Sequence, residues 1–291
     1  MSLHDKSLLI TLQLAGIASA RADKQITRDV LFQKNAQSDA GRWVSRLWTR
    51  AAMEPIRGLD SQIRSLHYAK TLPWMDKGER IIATRIFTDY MAQMRELRFK
   101  RETLVQGFID NYDDWLDQAR EMRGDSFKYE EYPTRCAARD KFKFELTSAP
   151  VPHRDDFRIT LASEDMTEIQ DALDQRVQDA ELTARRDLYR RMADPVSKLV
   201  ERLAQPDARF TAATLNVLRE LCATLPDVNV LDDPEVEMLR ATIEAQLCHL
   251  DPESITESRS DRSRALSKAN DILAKMAPWM DALEDDEEEA A

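Results

Sequence analysis

Glycine is scarce in this chain, 6 among 291 residues, where a soluble protein ordinarily carries about 7%. The shortage removes whole classes of site. Neither G-x-x-x-x-G-K nor G-x-G-x-x-G occurs, so no loop offers the backbone cradle that nucleotide phosphates need, and nucleotide hydrolysis and dinucleotide binding are not expected. Histidine is equally sparse. His4, His67, His153 and His249 fall in separate segments with no H-E-x-x-H, and adjacent Cys248 and His249 would point about 100° apart on a helix, so no metal and no cofactor is expected. Cys136, Cys222 and Cys248 are odd in number and far apart, which excludes a disulfide framework and fits a reducing cytoplasm. No G-x-S-x-G elbow is present, no catalytic residue can be assigned, and the chain reads as a non-enzyme. Apolar runs fall short of the about 18 residues of a membrane span. The stretch LLITLQLAGIASA lacks the basic start of a signal peptide and alternates polar and apolar residues, the pattern of a β-strand over Leu8 to Ala15.

What remains is rich in Leu, Ala, Arg, Glu and Met, and the periodicity is helical. Asp39 is placed to cap a helix carrying Trp43, Leu47 and Ala51; Pro55 and Gly58 interrupt it, and Leu59, Ile63 and Leu66 resume the stripe to Thr71. Residues 84–123 read as one helix of about 40 residues, its stripe broken only at Arg101 and its end marked by Gly124. Residues 163–203 read as a second long helix, kinked at Pro195, followed by shorter helices over 211–225, 235–247 behind the Asp233-Pro234 cap, and 258–276. Phe142, Phe144 and Leu146 alternate with polar residues, as do Phe157, Ile159 and Leu161, which predicts a hairpin pairing with the N-terminal strand. The expected fold is mainly α, an elongated bundle of long antiparallel helices with a small three-stranded antiparallel β-sheet. Its expected divisions are residues 1–162, an all-helical 163–280, and a disordered acidic tail, 281–291.

Charge is unevenly spread. The net charge is −11, but seven of the acids lie in DALEDDEEEAA, so residues 1–280 hold 42 bases against 46 acids, and Gly41 to Arg101 alone holds thirteen bases against six acids. Arg42, Arg46 and Arg50 fall at i, i+4, i+8 of the expected helix, a row of guanidiniums about 6 Å apart that could follow a phosphate backbone. Lys70, Lys77, Arg80 and Arg85 flank the stretch LHYAKTLPWMDKG, where Trp74 and His67 could stack on bases. Two alternatives stand beside this reading. The arginines could pair with acids such as Asp171, Asp174 and Asp179, and LHYAKTLPWMDKG could be a plain chain corner with Trp74 plugging it. The acidic tail, for its part, could occupy a basic groove and compete with single-stranded or duplex DNA.

In order along residues 8–276, the segments DKQITRDV, DAGRW, HYAKTLPW, MRELR, FIDNY, EEYP, KFKFEL, PVP, DFRITL, NVLRELCATLP and DDPEVEMLR resemble a bacterial and bacteriophage family of unknown function with an HYxxTLPW core. The resemblance implies a phage or mobile-element source and a role in the host cytoplasm. It also implies a protein partner, host or phage, with a MoxR-type AAA+ ATPase as a specific possibility, because relatives are encoded beside one. It implies no catalytic residues. The reading that follows is a non-enzymatic adaptor or regulator, monomer or homodimer and without a membrane segment; the alternative is a nucleic-acid-binding protein.

Overall fold

Nine residues, Ser7–Ala15, form strand β1, buried at Ser7, Leu9 and Ile10, after a short helix α1 at Leu3–Lys6. The computed structural model describes residues 3–75, 78–153, 163–205 and 210–289, with backbone alone for 163–165 and 280–289. Chain order continues through β2 (Ala20–Ala22), α2 (Lys24–Gln33), β3 (Val44–Arg46), α3 (Arg50–Lys70), β4 (Leu72–Pro73), β5 (Glu79–Ala83), α4 (Thr84–Asp110) and α5 (Tyr112–Arg123). There follow α6 (Arg135–Lys141), β6 (Lys143–Pro150), α7 (Ser163–Ala204), α8 (Ala212–Val228), α9 (Pro234–Leu247), α10 (Pro252–Glu257) and α11 (Arg259–Glu289).

The protein is mainly α, but the sheet has four strands, in the order β4-β5-β1-β6, where three were expected. The unexpected members are β4 and β5. Leu9 lies opposite Ile81 and Ile10 opposite Arg80 in an antiparallel pair, and Gly78 turns the β4-β5 hairpin at φ +100, a left-handed conformation open to glycine at little cost. The expected strand over 157–161 lies outside the described residues. A second sheet, β2 with β3, also went unforeseen.

The helix expected over 84–123 is two helices. Asn111 separates them: its backbone N–H and its Nδ2 both donate to the Gly107 carbonyl, a local side-chain bond that competes with the helical ladder. Conversely, Pro55 and Gly58 do not interrupt α3. Ala52, Met53, Ile56, Leu59 and Ile63 are buried at three-four spacing, which offsets the about 3 kcal/mol that an interior proline costs. Helix α7 runs unbroken through Pro195, as the continuous stripe predicts. Helix α9 starts as expected, the Asp233 carboxylate accepting from the Glu235 and Val236 amides. Helix α11 carries its backbone past Pro278 to Glu289, where a disordered tail was expected.

The chain forms two compact units, discontinuous in sequence: Met1–Thr11, Tyr68–Thr88 and Thr147–Ala291 in one, Leu12–His67 and Asp89–Leu146 in the other. Residues 1–11 and 68–88 thus group with 163–280, whereas the division expected from sequence fell at 162. The first unit buries Leu188, Met192, Val196 and Leu199 of α7 with Leu215 and Leu218 of α8, Val236 and Ile243 of α9 and Ile272 and Met276 of α11. The second is centred on Trp48, which meets Phe108, Tyr112 and Tyr132 edge-on with ring centroids 5.0 to 5.4 Å apart. Cys222 and Cys248 bring their Sγ atoms to 3.8 Å in the first unit although 26 residues separate them.

Candidate anion-binding site

The predicted basic row does not sit on a helix. Arg42 lies in a loop, Arg46 in β3, and Arg50 opens α3. The local reason is backbone pairing: β3 bonds to β2 in register Ala22↔Val44 and Ala20↔Arg46, the Asp23 amide donates to the Trp43 carbonyl at 2.9 Å, and the Trp43 amide donates to Thr27 Oγ1 at 2.8 Å. Asp39 caps nothing. Thr49 instead takes that place before α3, its Oγ1 accepting from the Ala52 amide at 3.4 Å. Trp43, expected on the inner stripe, is 49% exposed, while its neighbours Leu47 and Trp48 enter the core.

Residues 20–50 therefore make an arm tied down at its base. Helix α2 and strand β2 bury no residue at all; Asp23 caps α2 by accepting from the Gln25 and Ile26 amides. The arm holds seven bases, Arg21, Lys24, Arg28, Lys34, Arg42, Arg46 and Arg50, against three acids, and every one of the seven is exposed. Among the described residues none of the seven has an ion-pair partner, so Arg42, Arg46 and Arg50 are open. Phe32, 85% exposed, lies on the same arm. Between α2 and the loop before β3 a cleft of about 280 Å³ is walled by Val30, Leu31, Ala40 and Trp43, with Lys34 and Arg42 also in its lining.

The other half of the prediction has been used up internally. Lys70 Nζ lies 3.5 Å from Asp227. Arg80 donates from Nε to Thr71 Oγ1 at 2.6 Å and from Nη2 to the Thr71 carbonyl at 2.9 Å, with its guanidinium 4.7 Å from the Tyr68 ring centre. Burial lowers the Arg80 pKa, an effect opposed by the nearby Asp187 carboxylate. Arg85 Nη2 donates to the Pro226 and Asn229 carbonyls. Trp74 is buried, and His67 is buried with Nδ1 2.7 Å from the Tyr90 hydroxyl, so neither ring is available for stacking. Lys77 lies outside the described residues. LHYAKTLPWMDKG is thus a corner whose described cations serve the fold.

A second basic row, not expected from the sequence, lies on α3. Arg50, Arg57 and Arg64 recur every seven residues, close to two helical turns, and so share one face. All three are exposed, and among the described residues none is ion-paired. The spacing was visible in the sequence, but it is hidden when the helix is placed one segment too early.

No protein-family model, curated protein or solved structure matches the chain.

Proposed function

We propose that this protein is a non-enzymatic binding protein whose working surface is the arm of residues 20–50, and that its ligand is single-stranded nucleic acid. The observation that carries the reading is the cleft beside half-exposed Trp43, lined also by Lys34 and Arg42, on a segment whose seven cations have no ion-pair partner among the described residues. A single strand offers what such a surface takes up: an unstacked base for an aromatic wall and phosphates for exposed guanidiniums. A duplex offers only the phosphates. Fluorescence anisotropy with a labelled oligothymidine at low salt tests this. Arg42→Ala with Arg46→Ala is expected to weaken binding about tenfold or more, and Trp43→Ala by about 1–3 kcal/mol. Absence of binding at low salt, or equal affinities for the native protein and both variants, would contradict the proposal.

A second reading, an adaptor that docks on another protein, is favoured by a different feature. Pro55, Gly58 and Leu59 of α3 and Leu104 of α4 line an apolar groove of about 570 Å³ beside Phe99, which is 70% exposed. In this reading the protein belongs to the cytoplasm of a phage-infected or element-bearing cell, and a MoxR-type AAA+ ATPase is the partner to try first. Co-purification with such an ATPase that Phe99→Glu abolishes would support it; retention by the variant would count against the groove.

A further inference from the structure

We infer that the second unit holds a separate site for a small organic phosphate, in a cavity of about 400 Å³ beneath the Arg57 to Arg64 face of α3. One wall is apolar, formed by Ile17, Met53 and Ile56 with Phe142 beside them, while most of the surface that the cavity exposes is polar. Gly16 keeps that wall close, since a Cβ at this position would stand 3.2 Å from the Phe142 ring. The lining also carries Arg57, Asp60, Ser61 and Arg64, four residues within two turns of one helix face.

Charge decides what such a cavity accepts. Asp60 would repel an anion and attract the neighbouring arginines, but its carboxylate is already held by Arg101, whose Nε lies 2.6 Å from Oδ1 and whose side chain is only 2% exposed. Arg101 is locked in turn by donating from Nη2 to the Ala15 carbonyl at 2.7 Å. With Asp60 so compensated, the cavity keeps the two positive charges of Arg57 and Arg64. Neither has an ion-pair partner among the described residues, and Ser61 between them adds a hydroxyl. Two guanidiniums and a hydroxyl match the oxygens of a phosphate group, which accepts paired N–H bonds that a single ammonium cannot supply. The apolar wall gives a ring or hydrocarbon body a surface that bare phosphate does not use. The cavity size is that of a small-molecule site.

The site is distinct from the arm, so its test is run on the full chain without nucleic acid. Titration calorimetry with phenyl phosphate, inorganic phosphate and phenol separates the contributions of anion and ring. Phenyl phosphate is expected to bind about tenfold or more tightly than either of the others, and Arg57→Gln with Arg64→Gln to remove that advantage. Both substitutions are at exposed positions and leave the core untouched; an unchanged urea midpoint checks that the double variant folds. A third variant, Gly16→Ala, crowds Phe142 at the wall and is expected to weaken phenyl phosphate while leaving inorganic phosphate unaffected. Equal affinities for phenyl phosphate and inorganic phosphate, no binding of either, or full retention of phenyl phosphate by the double arginine variant would overturn the inference.

Discussion

Arg101 interrupts an otherwise continuous apolar stripe, and the interruption has a structural cause. The side chain is buried, donates to Asp60 and reaches the Ala15 carbonyl, so one residue joins α4, α3 and the end of β1. Removing one member of a buried pair leaves an uncompensated charge, a loss of about 3–5 kcal/mol. Arg101→Met is therefore expected to lower the unfolding free energy by that amount in urea titration; a change within about 0.5 kcal/mol, typical of an exposed site, would contradict the assignment. Tyr112 and Tyr132 make a second statement at this scale. Their hydroxyls donate to the Pro133 and Leu47 carbonyls, and burial pushes the Tyr112 phenol up to about 12 and raises that of Tyr132. Burial likewise pushes the Cys222 thiol up to about 12. Above the ordinary values of about 8.5 for a thiol and about 10 for a phenol, the unfolded chain releases protons that the fold retains. The unfolded state then binds fewer protons, so stability falls as pH rises, intact below about 8.5 and lost progressively toward about 12. A urea midpoint that drops between pH 7.5 and pH 10.5 is the expected result; a constant midpoint would contradict it. The anomaly at Arg101 was legible in the sequence, but its partner was not, because Asp60 is 41 residues away and no periodicity links them.

Among the elements, the shortage of glycine has a counterpart in how helices end. A helix leaves its last carbonyls without intrahelical partners, and a left-handed glycine is the usual remedy. Here Gly124 ends α5 at φ +51. Elsewhere arginines from distant segments perform the task. Arg191 donates to the Tyr68, Ala69 and Thr71 carbonyls at the end of α3, and Arg219 to Cys248 after α9. Arg262 donates to Arg202 and Leu203 at the end of α7, and Arg85 serves α8. The charge also opposes the negative end of each helix dipole. Arg191→Ala is expected to cost about 1.5–3 kcal/mol and to speed amide exchange in the last turn of α3; unchanged exchange there would contradict the capping role. Long helices with a continuous stripe, such as α7 and α9, were legible because many buried positions agree on one period. Strand β5 was missed because ERIIA is too short to show a period, and its partner is the distant β1. The helix expected from Asp39 failed because Trp43, Leu47 and Ala51 mimic a stripe over two turns, while β2 pairing, invisible in sequence, fixes the backbone as extended.

For the molecule as a whole, charge is the property that the sequence conveyed best. A basic section against an acidic end was evident from counting, and the structure adds which cations are spent and which are open: Lys70, Arg80 and Arg85 are engaged, whereas Arg42, Arg46 and Arg50 are exposed without ion pairs among the described residues. Counting could not make that distinction, because it depends on which carboxylates and carbonyls the fold brings within reach. If the open cations bind nucleic acid, the seven acids of residues 281–291 carry a competing charge on the same chain. Deleting that segment is then expected to tighten oligonucleotide binding in anisotropy titrations, and an unchanged affinity would show that the tail plays no part. The most direct test is the salt dependence of single-strand binding by the native protein and by the triple variant Arg42→Ala, Arg46→Ala, Arg50→Ala. Each phosphate contact contributes about 0.7 to the slope of log affinity against log salt concentration, so the triple variant is expected to lower the slope by about 2. Equal slopes for the two proteins would show that these arginines do not meet phosphate and would contradict the proposed function.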